Sequence, residues 1–262
     1  MIIRPSLLTA VLAGMALGAV GMRLLFSACA DPVSVSVERV VAAKGVISGG
    51  GAGLSASQYT LAQEIKKGGY ILFFRHGQRQ KWDSVMAFDV FEMATGVNSQ
   101  EASFRDAVCL TAQGREEAKM LGKLFELAKV PVGAVAASPS CRARQTGELA
   151  FGKVDMISNA LAHTPVTNSA NAAQFSAELR RVLQTIPVVQ DRNAVITAHG
   201  NTLENNRDMF AEGAEILGGT PPQETGFYVI KRNSNGTLRL VHKFLNLGEF
   251  AANAVDLKAV RQ

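Results

Sequence analysis

The chain has 262 residues, of which 47% are hydrophobic, 19% charged and 6% aromatic. That apolar fraction excludes a disordered chain, and three cysteines exclude a disulfide-dense scaffold. The net charge of +5, from 27 basic and 22 acidic residues, is too weak by itself to mark a nucleic-acid binder.

The N-terminus reads as a targeting signal. Arg4 supplies a positive start, and residues 7–22 form an uncharged run of 16, short for a membrane span. Two ends of the signal compete. Ala28-Cys29-Ala30 fits small-x-small cleavage, whereas Phe26-Ser27-Ala28-Cys29 resembles a lipobox that would lipidate Cys29. An uncleaved anchor is the third reading, since Leu24, Leu25 and Phe26 extend the apolar stretch past Arg23. All three put the rest of the chain outside the cytoplasm. It would be periplasmic or in the cell envelope, tethered only through a lipid or anchor, or secreted if cut after Ala30. Residues 45–57 are rich in Gly and Ser and read as a flexible linker. The expected organisation is a signal or anchor over 1–30, a linker over 31–56 and one folded domain over 57–262.

Within that domain, residues 59–67 carry Leu61, Ala62 and Ile65 on one side of a short helix, stopped by Gly68-Gly69. The continuous apolar run 70–74 predicts a strand buried on both faces. Residues 78–109 show no period, carry the only tryptophan, Trp82, and read as a long functional loop. An amphipathic helix is predicted over 111–129, a strand over 130–137 and a helix over 141–150. A further helix is expected over 175–186 and a third apolar strand over 194–198. A hairpin joins 226–231 to 237–244 through Asn235-Gly236. Strands alternating with helices predict a three-layer α/β/α sandwich with a mostly parallel central sheet.

Three of these strands end in reactive groups: Arg75-His76-Gly77, then Ser138 with Arg142 four residues on, then His199-Gly200. Parallel strands deliver their C-terminal ends to one edge, where ligands of open α/β folds bind. Guanidinium groups fork onto phosphate or carboxylate oxygens. Two arginines and two histidines without a carboxylate cluster favour a dianion, most simply a phosphate.

Four segments together resemble the histidine phosphatase superfamily, the phosphoglycerate-mutase-like group. They are Phe74-Arg75-His76-Gly77, Leu-Thr-Ala-Gln-Gly-Arg-Glu-Glu-Ala at 110–118, Ala-Ser-Pro-Ser-Cys-Arg-Ala-Arg-Gln-Thr at 137–146, and Thr197-Ala198-His199-Gly200. The resemblance spans about residues 70–204 in the family's order. It implies that His76 is the nucleophile accepting a phosphoryl group. Arg75 and Arg142 would hold the phosphate oxygens, and His199 would add a donor. It implies no metal and no cofactor. The small phosphorylated substrate could be an envelope sugar phosphate, because some exported relatives act on sugar phosphates of the lipopolysaccharide core. The expected activity is an extracytoplasmic phosphomonoesterase working through a phosphohistidine. A phosphotransferase or mutase on the same fold, and a catalytically idle anion-binding lipoprotein, are the alternatives.

Arg75-His76-Gly77-x-Arg79 also resembles the acid-phosphatase branch, which would place Arg79 on the phosphate, against the reading of a solvated loop charge. The chain departs from that branch at Gln80-Lys81 and at Gly200, which follows His199 where that branch has an aspartate. The group that protonates the leaving oxygen stays open among Glu204, Glu148 and Asp83, and Asn201-x-x-Glu204 also reads as a helix-capping box. His163 and His242 belong to no motif, no spacing supports a metal site, and Arg144 reads as a helix-surface charge. An oxidising compartment would permit a Cys109–Cys141 disulfide bracing the loop that carries Arg142.

Overall fold

The computed structural model describes residues 56–80, 108–162 and 169–254. The expected signal and linker up to residue 55, with Cys29, lie outside the described residues, as do Trp82, Asp83 and His163. Among the described residues, no helix is long and apolar enough to cross a membrane.

The run that precedes the first reactive group forms β1 (Ile71–Arg75), whose first four residues are buried. Its alternation splits the core. Ile71 and Phe73 face one layer, while Leu72 and Phe74 face the other. Burial on both sides is why the sequence shows a solid apolar run and not an alternating one. β2 (Val132–Ala137) and β4 (Asn193–Ala198) repeat the logic, and β4 is buried along its whole length.

A seven-stranded sheet results, in the order β3-β2-β4-β1-β6-β7-β5, with β3 at Met156–Ile157, β5 at Phe210–Glu212, β6 at Phe227–Arg232 and β7 at Leu238–Phe244. β1 pairs in parallel with β4, β4 with β2, β2 with β3, and β5 with β7; β6 alone runs against its neighbours. The sheet is thus mostly parallel and the three-layer α/β/α fold is observed. The terminal hairpin forms where expected, with Gly236 at φ 82° in the turn and Asn233 N–H donating to the Thr237 carbonyl.

One layer is built by α1 (Ala56–Ile65), α2 (Ala112–Leu127) and α6 (Leu247–Ala254), which bury Ile65, Leu121, Leu124, Phe125 and Phe250 against Phe74 and Phe227. α3 (Cys141–Phe151) packs on this side too, Phe151 meeting Phe74 with ring centroids 6.0 Å apart. Across the sheet, α4 (Ser169–Thr185) buries Leu179, Val182 and Leu183. α4 begins six residues before the predicted start at 175. Its first turns are polar and alanine-rich and carry no apolar stripe, so periodicity could not reveal them. β3 and β5, two and three residues long, are likewise too short for any period.

Candidate active site

The C-terminal ends of β1, β2 and β4 meet in register. Arg75 sits opposite Ala198, and Ala137 opposite Thr197. Both ladders continue one residue past the strands, through His76 N–H to the Ala198 carbonyl at 2.9 Å and Ser138 N–H to the Thr197 carbonyl at 2.9 Å. His76, Ser138 and His199 are therefore carried to one edge by main-chain pairing. The imidazole rings of His76 and His199 lie 5.3 Å apart and inclined at 68°.

Both histidines are buried, and their hydrogen bonds fix their protons. His76 Nδ1 lies 2.7 Å from the Gly77 carbonyl oxygen. A carbonyl only accepts, so Nδ1 carries a proton and, in the neutral ring, Nε2 bears the lone pair. His199 Nε2 lies 2.9 Å from Ser138 Oγ and 3.5 Å from Ser140 Oγ, while its Nδ1 faces Arg142 Nη2 at 3.4 Å. A guanidinium only donates, so Nδ1 accepts here and Nε2–H points at the serines.

Arg142 is fully buried, the largest such side chain among the described residues. It stands one residue into α3, and its Nη1 donates to the Val108 carbonyl at 3.4 Å. An arginine cannot shed its proton, so the site holds a fixed positive charge away from water. The Cys109–Cys141 disulfide forms, with Cα atoms 4.8 Å apart. It ties the residue after Val108 to the residue before Arg142, clamping a short strap, residues 108–110, to the start of α3. Gln145 Oε1 secures the same strap by accepting from Leu110 N–H at 2.8 Å.

The loop after His76 is held from two helices. Gly77 N–H donates to Thr146 Oγ1 at 3.0 Å, and that hydroxyl donates to the Arg142 carbonyl at 2.8 Å. Thr111 caps α2 by accepting from Gly114 N–H at 3.0 Å and donates to Gln78 Oε1 at 2.8 Å. Gly114 is required, since a Cβ there would fall 2.0 Å from the Gln78 carbonyl oxygen. The Thr111-x-x-Gly114 spacing thus allows a close approach of the helix to the loop after His76.

Arg75 is the least enclosed of the four groups, its side chain 30% exposed. Its Nη1 donates to the Pro222 carbonyl at 2.9 Å and its Nη2 to Glu224 Oε1 at 3.3 Å. Arg79 lies on the loop after His76, its backbone bridged to Leu110 and its Nη1 donating to the Gln80 carbonyl at 2.5 Å.

The candidate acids separate. Glu148 is exposed on α3. Glu204 ends a short helix, α5 (Asn201–Glu204), whose N-cap is Gly200, so Asn201 and Glu204 do not form a capping box. Instead Glu204 Oε1 accepts from Tyr228 Oη at 3.2 Å. Burial first, then the Glu204 charge, push the Tyr228 phenol far above its ordinary value. Among the described residues, no three His, Cys, Asp or Glu side chains gather as a metal site. Sequence reasoning missed Ser140, Thr146 and Glu224. Ser140 and Thr146 flank Arg142 inside a recognised motif, whereas Glu224 comes from a distant segment with no local signal.

Residues 71–161 match the family model described as histidine phosphatase superfamily (branch 1). The chain is similar to the protein histidine phosphatase SixA complexed with tungstate, at 17% identity and a TM-score of 0.43, covering 67% of this chain and 96% of that one. It is also similar to a mutant phosphoserine phosphatase from Entamoeba histolytica in complex with phosphoserine, at 13% identity and a TM-score of 0.43, over 69% and 98% of the two chains. A putative alpha-ribazole-5'-P phosphatase from Escherichia coli K-12 matches at 17% identity and a TM-score of 0.44, over 72% and 98%. No curated protein matches the chain.

Proposed function

We propose that this chain, whose residues 71–161 match the family model of the histidine phosphatase superfamily (branch 1), hydrolyses a phosphate monoester through a phosphohistidine on His76. The carrying observation is the 2.7 Å contact of His76 Nδ1 with the Gly77 carbonyl, in a ring centred 5.3 Å from that of His199, which itself meets the buried Arg142. In the neutral ring that contact leaves Nε2 as the nucleophile.

In the first step Nε2 attacks phosphorus in line, the N–P bond forms and the P–O bond to the leaving group breaks. Arg75 and Arg142 hold the non-bridging oxygens as charge spreads over them, and His199 adds a further donor. A water then attacks the phosphohistidine, the N–P bond breaks and inorganic phosphate leaves. An aryl phosphate needs little protonation of its leaving oxygen, so neither Glu204 nor Glu148 has to act on it. Arg79 joins the phosphate from the loop after His76.

The substrate is a small phosphorylated molecule met outside the cytoplasm. Two features support export: the leader-like residues 1–30, and a disulfide, which persists in oxidising compartments.

The test compares the full chain with His76→Ala on an aryl phosphate. The native protein should turn over and form an acid-labile phosphoenzyme, with both lost by about 10³-fold or more in the variant. Equal turnover by the two proteins, or none by either, would overturn the phosphohistidine mechanism.

A further inference from the structure

Resting on the phosphate-holding role of Arg75 given above, we infer that Glu224 is a positioning residue that presents Arg75 to the phosphoryl group. The segment 222–226 grips this one arginine at four points. The Pro222 carbonyl and Glu224 Oε1 accept from Nη1 and Nη2 of its side chain. Thr225 N–H donates to the Arg75 carbonyl at 3.1 Å, and the Gly226 carbonyl accepts from Arg75 N–H at 3.0 Å. Thr225 N–H also lies 3.3 Å from the His76 carbonyl, so the same turn holds the nucleophile's backbone.

The turn departs from ordinary backbone to do this. Thr225 has φ 63°, a left-handed conformation that a β-branched residue rarely adopts. It is buried, and its hydroxyl donates to the Glu224 carbonyl at 2.6 Å. Such conformations persist where the surroundings over-determine them, and they gather at functional sites. Here the reversal brings Glu224 over Arg75 just before β6 begins.

A guanidinium has five donors, and this grip occupies one on each terminal nitrogen. Nε–H and one N–H on each terminal nitrogen remain for a phosphate. The Nε edge lies beside Gly200, next to His199: a Cβ on Gly200 would stand 3.4 Å from Arg75 Cδ and 3.9 Å from its Nε. At about one-third exposure on each side the Arg75–Glu224 pair adds little as a surface ion pair. Its effect is to remove rotamer freedom from a long side chain before the ligand arrives.

The experiment uses the full chain with inorganic phosphate as the calorimetric probe and an aryl phosphate as substrate. Glu224→Ala should weaken phosphate binding by about three- to tenfold and raise KM in step. Glu224→Gln, which keeps an acceptor oxygen, should recover most of the affinity. In an Arg75→Ala background, Glu224→Ala should add nothing. Unchanged or tighter phosphate binding by Glu224→Ala, no recovery by Glu224→Gln, or an equal loss without Arg75 would each overturn the positioning role. Native protein that binds phosphate without turnover would refute hydrolysis alone, and the affinity comparison would still decide on Glu224. Native protein that binds no phosphate would refute both.

Discussion

Arg142 and His199 meet inside the protein, Nη2 of the guanidinium 3.4 Å from Nδ1 of the imidazole. One group comes from the start of α3 and the other from the end of β4, so the contact reports how the sheet edge and the helix are aligned. A lysine at 142 would keep the charge but lose the planar fork and its reach to both Val108 and His199. Arg142→Lys should lower kcat/KM on an aryl phosphate by about 10²-fold. Steady-state kinetics check this, and a loss under about threefold would take Arg142 out of the site.

The disulfide closes a loop with a sequence separation of 32. Constraining the unfolded chain over that length is worth about 3–4 kcal/mol in the chain-entropy account. Cys109→Ser with Cys141→Ser should therefore lower the thermal midpoint, and it should weaken phosphate binding as the Val108–Arg142 contact loosens. Calorimetry and phosphate titration of the oxidised, reduced and doubly substituted proteins test both parts.

Two glycines offer a matched comparison. Gly152 ends α3 at φ 71° with open space around a would-be Cβ, so Gly152→Ala should destabilise by about 1 kcal/mol and leave turnover intact. At Gly114 the added carbon would meet the Gln78 carbonyl oxygen at 2.0 Å. Gly114→Ala should destabilise by about 3 kcal/mol or more, and activity should fall with it because Gln78 lies two residues after the nucleophile. Denaturant unfolding and kinetics on both variants distinguish the two costs.

His242 should make stability depend on pH. Burial holds its imidazole below the ordinary value, its Nε2 is enclosed without a hydrogen-bond partner, and its ring meets Phe244 edge-on at 4.5 Å. The neutral form is favoured in the fold, so below about pH 6.5 the unfolded chain binds more protons than the native one. Stability should fall as pH drops through that region and be recovered above it. His242→Phe should flatten this fall and raise the midpoint near pH 6, as thermal melts between pH 5 and 8 would show.

Much of this fold was legible before any coordinates. The solid apolar runs at 71–74 and 194–198 announce strands buried on both faces, because only a sheet covered on each side removes the need for polar alternation. The stripe of Leu121, Leu124 and Phe125 announces α2 for the matching reason, since one face of a surface helix must meet the core. Short edge strands and the first turns of α4 carry no such pattern and stayed hidden.

The site divides along the same line. His76, Arg75, Arg142 and His199 are legible because each lies at a strand end or helix start within a local motif, and local chain geometry sets where a strand stops. Tertiary structure alone decided which partners they meet. The serines facing His199, the grip of residues 222–226 on Arg75 and the Cys109–Cys141 bond all join segments far apart in sequence, whereas the tautomer of His76 is set by the carbonyl of its own neighbour, Gly77. Sequence sets the identity of each group and the period of its element. The distance between two groups on different elements follows only when the whole sheet has chosen its register.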